Sequence, residues 1–190
     1  MTQEKPESGR LQLAIIALVF FGPLIVATWM YMTGSLKPAG VTNHGVLMEP
    51  IANLLEAFPD SGILAETDGR WALVYVNQAP CDDRCRDELY RLRQIRLMLG
   101  KDMDRVVRVF LHGDVPPDRV FIEDQHQGLT TINDKGLAKL LEGKLPGGVQ
   151  GGGIFLVDPL SNLVMYFPPD LEPGDVVDDL KHLLGLSQIG

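Results

Sequence analysis

The two cysteines of this 190-residue chain, Cys81 and Cys85, lie close together in Pro80-Cys81-Asp82-Asp83-Arg84-Cys85. The apolar run Leu73-Val74-Tyr75-Val76 precedes them, and Leu89, Leu92, Ile95 and Leu99 follow at helical spacing. The pair therefore falls between the end of a strand and the opening of a helix. A helix N-terminus supplies unpaired N–H groups and partial positive charge, which favour thiolate over thiol. A separation of four residues sets the two sulfurs one turn apart on one helical face. With Cys81 as N-cap and Cys85 in the first turn, two chemistries are open: both sulfurs converge on one soft cation, or they join in a disulfide. Asp82 and Asp83 oppose thiolate formation, whereas Arg84 and Arg86 favour it.

Other candidate groups are fewer. His112 ends the next apolar run, where α/β sheets place functional side chains, so it reads either as a solvated strand-end histidine or as a substitute metal ligand. His44, His126 and His182 fall in polar or helical surface segments and read as surface residues. Met103 and Met165 are soft donors, but methionine more commonly fills gaps in cores. The glycines at 147, 148 and 151–153 lack the Gly-Lys-Ser/Thr ending that gives a phosphate loop its chemistry, which argues against nucleotide binding.

These residues need elements to position them. Ile51, Leu54, Leu55 and Phe58 have one-face helical spacing, so a short amphipathic helix is expected over 49–58. Ile63–Ala65 and Trp71–Val76 flank Thr67-Asp68-Gly69, a favoured hairpin signal. Leu73–Val76 is apolar on both faces and reads as a central strand. A helix follows from Cys85, closed by Gly100, and Val106–Leu111 is the next buried strand. The stretch 113–128 reads as a polar connection and 136–145 as a short helix. Ile154–Val157 and Leu163–Phe167 read as a hairpin around Asp158-Pro159, and Val176, Val177, Leu180, Leu183 and Leu184 stripe a last helix. This order predicts an α/β domain with a central mixed β-sheet, its first two strands parallel across the cysteine-bearing helix.

Ahead of that domain, Leu11 to Met32 carries no charged residue. At roughly 1.5 Å per residue the run reaches about 33 Å, against a hydrocarbon core of ~30 Å. It reads as a retained signal-anchor, in preference to a cleaved signal peptide ending at Ala39-Gly40 or a buried helix. Trp29 and Tyr31 near its end suit a headgroup zone. Lys5 and Arg10 before it, against Lys37 shortly after, predict a cytoplasmic N-terminus and an exported C-terminal domain. The expected layout is a cytoplasmic tail (1–10), a transmembrane anchor (11–33), a tether (34–48) and an exported domain (49–190). In a bacterium this is a single-pass inner-membrane protein with a periplasmic domain, and both cysteines meet an oxidising compartment.

Composition agrees with one globular domain, because 45% hydrophobic and 22% charged residues support a single sizeable core. Two cysteines are too few for a disulfide-dense scaffold. Seventeen basic against 25 acidic residues give a formal charge of −8, which disfavours nucleic acid as a partner.

The segment Gly69-Arg-Trp-Ala-Leu-Val-Tyr-Val-Asn-Gln-Ala-Pro-Cys-Asp-Asp-Arg-Cys-Arg-Asp-Glu-Leu89 resembles the Sco/SenC family, membrane-anchored thioredoxin-like proteins that deliver copper during cytochrome c oxidase assembly. Phe155-Leu-Val-Asp-Pro159 is similar to the family's late strand ending in Asp-Pro. The resemblance runs from about Gly62 to the C-terminus. It implies a thioredoxin-like α/β domain behind one N-terminal transmembrane helix, with Cys81 and Cys85 matching the family's two copper thiolates. Two positions depart from the pattern: Gln150 stands where the family has its third ligand, a histidine, and Arg86 stands where it has a proline. The implied function is help in assembling a respiratory cytochrome c oxidase by thiol-disulfide exchange at Cys81 and Cys85. The alternatives are copper(I) delivery through the same sulfurs, with His112 as a further candidate ligand, or docking without turnover. The implied partner is an oxidase subunit or a copper chaperone.

Overall fold

Trp71–Asn77 buries every side chain from Trp71 to Val76, which a strand can do only with layers on both of its faces. The computed structural model describes residues 8–33, 43–59, 61–67, 69–187 and 189, and divides the chain into two units, Met1–Thr42 and Asn43–Gly190.

Among the described residues of the first unit, the helix α1 (Ser8–Thr33) contains Pro23, and Leu11–Thr33 within it is long and apolar enough to cross a membrane. Its large apolar side chains are exposed, as a lipid-facing helix requires. The hydroxyls of Thr28 and Thr33 donate back to the carbonyls of Leu24 (2.8 Å) and Trp29 (2.9 Å), so neither is left unpaired. Lys5, Lys37 and the Gly34–Thr42 part of the expected tether lie outside the described residues.

The second unit runs β1 (Val46–Asn53), α2 (Leu54–Ala57), α3 (Gly62–Thr67), β2 (Trp71–Asn77), α4 (Asp83–Met98), a 3-10 turn (Gly100–Arg105), β3 (Val106–His112), α5 (Arg119–Gln125), β4 (Leu129–Ile132), α6 (Lys135–Gly143), β5 (Ile154–Val157), β6 (Asn162–Phe167) and α7 (Pro173–Leu186). The strands form one mixed sheet in the order β1-β6-β5-β2-β3-β4. β2, β3 and β4 are parallel, and β5, β6 and β1 join antiparallel. The expected α/β architecture is therefore present, with β2 central. Alternation along β2 sorts the two cores. Trp71, Leu73 and Tyr75 pack with Cys85, Leu89, Leu92 and Ile95 of α4 and Val176, Val177 and Leu180 of α7. Ala72, Val74 and Val76 pack with Leu54, Ile63 and Leu137, Ala138 and Leu141 of α6.

Four expectations are corrected. Residues 46–53 are a strand and only Leu54–Ala57 is helical, because Ile51 and Leu55 of the supposed apolar stripe face solvent. Pro50, which has no N–H to donate, is tolerated because β1 is an edge strand whose register shifts between Leu47 and Ala52. The first arm of the expected hairpin is instead α3, which buries Ile63 and Thr67, four apart on one helical face. Gly69 follows at φ +70°, the left-handed conformation that closes helices, and Asp68 lies outside the described residues. The stretch 113–128 contains α5, and β4 beyond it was not legible because Leu129–Ile132 alternates too little and is only partly buried. Finally, the N-cap of α4 is Asp82, whose carboxylate accepts from the Cys85 N–H at 3.0 Å; Cys81 lies one residue before the cap.

Candidate functional site

Cys81 and Cys85 are joined in a disulfide with their Cα atoms 5.1 Å apart. The corner that carries them begins at Asn77, where β2 ends and the side-chain oxygen accepts from Ala79 N–H at 3.1 Å. The chain then reaches Pro80 and Cys81 before the Asp82 cap fixes the direction of α4. The two sulfurs have different environments: Cys85 is 1% exposed inside the α4 stripe, whereas Cys81 is half-buried at the edge of the same core. A reagent from solvent meets Cys81, and Cys85 sits in the first turn, where free N–H groups stabilise a departing thiolate.

Beside the disulfide is a cleft of about 350 Å³ lined by Tyr75, Asn77, Asp82, Arg84, Gly151 and Gly152, among others. The glycine-rich segment closes one side. A Cβ on Gly152, which has φ +89°, would lie 3.3 Å from Arg84 Nη2, so the loop passes directly over the start of α4. Tyr166 pins this loop: its hydroxyl donates to the Gln150 carbonyl at 2.7 Å and accepts from Gly153 N–H at 2.8 Å. Gly153 is obligatory, since a Cβ there would fall 2.1 Å from the Phe167 carbonyl oxygen. On the other side the loops after β2 and β3 are pressed together, and a Cβ on Gly113 would lie 2.0 Å from the Gln78 carbonyl oxygen.

One turn along α4 from Cys85 the sequence reading missed a buried polar group. Glu88 follows Cys85 by three residues on the same face of α4, is buried, and pairs with Arg91 at 3.1 Å. Burial pushes its carboxyl up, with the Arg91 guanidinium opposing. Tyr75 is pushed up to about 12 by burial and then by the Glu88 charge. An acidic residue on an apolar helix stripe was the available signal: Cys85, Glu88, Leu89, Leu92 and Ile95 share one buried face.

The remaining candidates lie elsewhere. His112 is buried at the end of β3, its Nδ1–H donates to the Gly113 carbonyl at 2.7 Å, and its ring tilts against Phe110; it does not line the cleft beside the cysteines. Gln150 directs its side chain to solvent while its carbonyl is held by Tyr166. His44 is tied to α7 rather than free, its Nδ1 lying 3.1 Å from Asp179, which also accepts from the His44 and Gly45 N–H groups. That hydrogen bond raises the His44 pKa. His126 is buried, His182 is exposed, and Met165 is core while Met103 packs at its margin. Among the described residues no group of three or more His, Cys, Asp or Glu side chains is arranged to hold a metal ion. As a dithiol, the cysteine pair fits a two-coordinate soft cation and brings no third donor.

The fold has known counterparts. It is similar to copper-bound ScoI of Arabidopsis thaliana (17% identity over 65% of this chain and 89% of that one, TM-score 0.51), to yeast Sco1 (18%, 65% and 85%, 0.52) and to copper-bound yeast Sco1 (17%, 65% and 84%, 0.52). The resemblance read from the cysteine segment thus holds for the fold, a Sco-like thioredoxin fold. No curated protein sequence matches the chain. A family model described as the transmembrane-like N-terminal domain matches residues 3–34. The model described as the transmembrane-like, thioredoxin-like, C-terminal domain matches residues 71–187, more than half of the chain, and the protein belongs to that family.

Proposed function

We propose that the protein is a membrane-anchored thiol-disulfide exchange factor acting through Cys81 and Cys85. The observation that carries this reading is the disulfide itself, half-exposed at Cys81 and buried at Cys85, in the first turn of α4. A client thiolate attacks Sγ of Cys81, the S–S bond breaks, and the electron pair leaves on Sγ of Cys85, which takes a proton from water. A second client thiolate then attacks the client sulfur of the mixed disulfide and releases Cys81. The client leaves with a disulfide and this pair with two more electrons; the reverse order reduces a client disulfide.

The client we propose is a respiratory cytochrome c oxidase subunit or the copper chaperone that loads it, supported by the Sco-like fold. Lys5 and Arg10 support a cytoplasmic N-terminus and a periplasmic domain. The test is thiol trapping of the full chain across a redox titration, where one two-electron transition is expected. Two thiols that stay free in oxidising buffer overturn the proposal. A phosphatase fusion after Gly190 that stays inactive while a cytoplasmic reporter there is active overturns the sidedness.

Delivery of copper(I) is the second reading, favoured by the convergence of two sulfurs and by the copper-bound relatives of the same fold. On that reading the reduced pair binds copper(I) and holds copper(II) weakly. Gln150→His adds a nitrogen donor on the loop beside the cysteine helix and strengthens copper(II) binding. Tight copper(II) binding by the wild type that is abolished in His112→Ala turns the reading from exchange to delivery.

A further inference from the structure

β3 places Val106, Arg108 and Phe110 on the face covered by α4, and the middle one is an arginine that is 3% exposed. Among the described residues no carboxylate pairs with it. Its Nη2 donates to the Gln127 carbonyl, while Nε and Nη1 are buried with no acceptor. A buried guanidinium lacking a counterion is among the more costly things a fold can contain.

Two more guanidiniums converge on it. Arg93 and Arg96, from the C-terminal half of α4, line with Arg108 a cleft of about 320 Å³ whose mouth is formed by Asp124, Gln125 and Gln127, all exposed. Arg93 donates to the Gln125 carbonyl through Nη1, but its Nε is also buried without an acceptor. Arg96 donates to the Val106 carbonyl at 2.8 Å and reaches the exposed Asp104 at 3.4 Å. Asp124 is the one acid lining the cleft, against three arginines. The excess is felt nearby: burial, then repulsion from Arg96 and Arg93, lowers Arg108 to about 10, and burial with the charges of Arg108 and Arg93 lowers His126 to about 4.

We infer that this cleft is a binding site for a phosphate-like oxyanion, with Arg108 at its floor and Arg93 and Arg96 at its sides. A tetrahedral divalent anion brings both things the cleft lacks, several acceptor oxygens for the unpartnered N–H groups and a balancing charge. The cleft holds more than one phosphate, so the anion can be a phosphoryl group carried on a larger molecule. That group can reach the cleft on a soluble molecule or on a lipid headgroup. The site lies at the opposite end of α4 from Cys81 and Cys85 and does not depend on their chemistry.

The test uses the full chain in maltoside micelles, at constant ionic strength set with chloride, titrated calorimetrically with inorganic phosphate. One saturable site is expected, weakened about tenfold or more in Arg108→Met and in Arg93→Gln, as loss of a charge-assisted hydrogen-bonding group implies. A second arm replaces phosphate with micelles doped with phosphatidic acid. Tighter uptake of the lipid assigns the anion to a headgroup, and tighter uptake of phosphate assigns it to a soluble ligand. Thermal melts without phosphate establish that each variant is folded, and Arg93, half-buried at the side of the cleft, serves if the Arg108 variant does not fold. Absence of saturable binding in both arms, or binding undiminished in the folded variants, overturns the inference.

Discussion

One helix joins two regions of opposite character. At the N-terminal end of α4, charged groups find partners within the chain: Asp82 caps the Cys85 N–H and Glu88 has Arg91, although Arg91 Nε and Gln78 Nε2 are buried without an acceptor. At the C-terminal end, Arg108 and Arg93 keep buried N–H groups with no acceptor. The first region has a fold-wide frame behind it, with Tyr166 fastening the glycine loop and Gly113 letting the loops after β2 and β3 touch. The second is a concentration of like charge in a protein whose overall charge is −8. Net charge therefore says little about a local site: the composition argues against a phosphate backbone as a partner, yet the fold gathers three arginines into one cleft.

The harshest way to break the comparison is to strike between the two regions. Leu92 is fully buried midway along α4, and Leu92→Ala should cost about 3 kcal/mol. Both ends should weaken together, seen as a lowered urea midpoint and as faster amide exchange at Cys85 and Arg96 alike. If only one end loosens, the two regions are independently stabilised. Reduction of the disulfide acts on one end alone. The closed loop is short, with a sequence separation of four, so the chain-entropy contribution is about 2 kcal/mol, read as the difference between urea melts with and without reductant. Cys81→Ser should match the reduced wild type and abolish the two-electron transition.

Smaller effects sharpen the contrast. Asp82→Ala removes the cap that fixes the cysteine turn and should cost about 1 kcal/mol in thermal or urea melts. Arg108→Met should do the reverse at the other end, leaving the midpoint unchanged or raised, because it removes a buried charge that has no counterion among the described residues. A clear loss of stability there would mean that the cleft is matched in ways its hydrogen bonds do not reveal. The smallest effect is a slope. His126 stays neutral in the fold, pushed from 6.5 to about 4, while the unfolded chain takes up a proton near 6.5. Its contribution is therefore present above pH 6.5 and is lost as pH falls toward 4. In His126→Phe this part of the acid destabilisation should disappear from urea melts repeated across that window.

What was legible in the sequence was what short-range pattern encodes. The uncharged run that became α1, the two-sided apolarity of β2 and the period of α4 each follow from burial demands that repeat within a few residues. The cysteine pair belongs to this class, because the strand before it and the helix after it are both local signals. Tertiary structure decided whatever depends on neighbours distant in the chain. β1 is a strand because β6 pairs with it, although Ile51, Leu54, Leu55 and Phe58 carry a helical period. β4 exists because β3 offers it a parallel edge. The Gln150 carbonyl is fixed by Tyr166, sixteen residues away. Arg108 is one arginine among several in the sequence; only the packing of α4 over β3, with the chain after α5 closing behind it, turns it into a buried charge with no counterion among the described residues. Backbone periodicity is set by covalent geometry and can be read residue by residue, whereas the desolvation of a charge depends on every element packed around it.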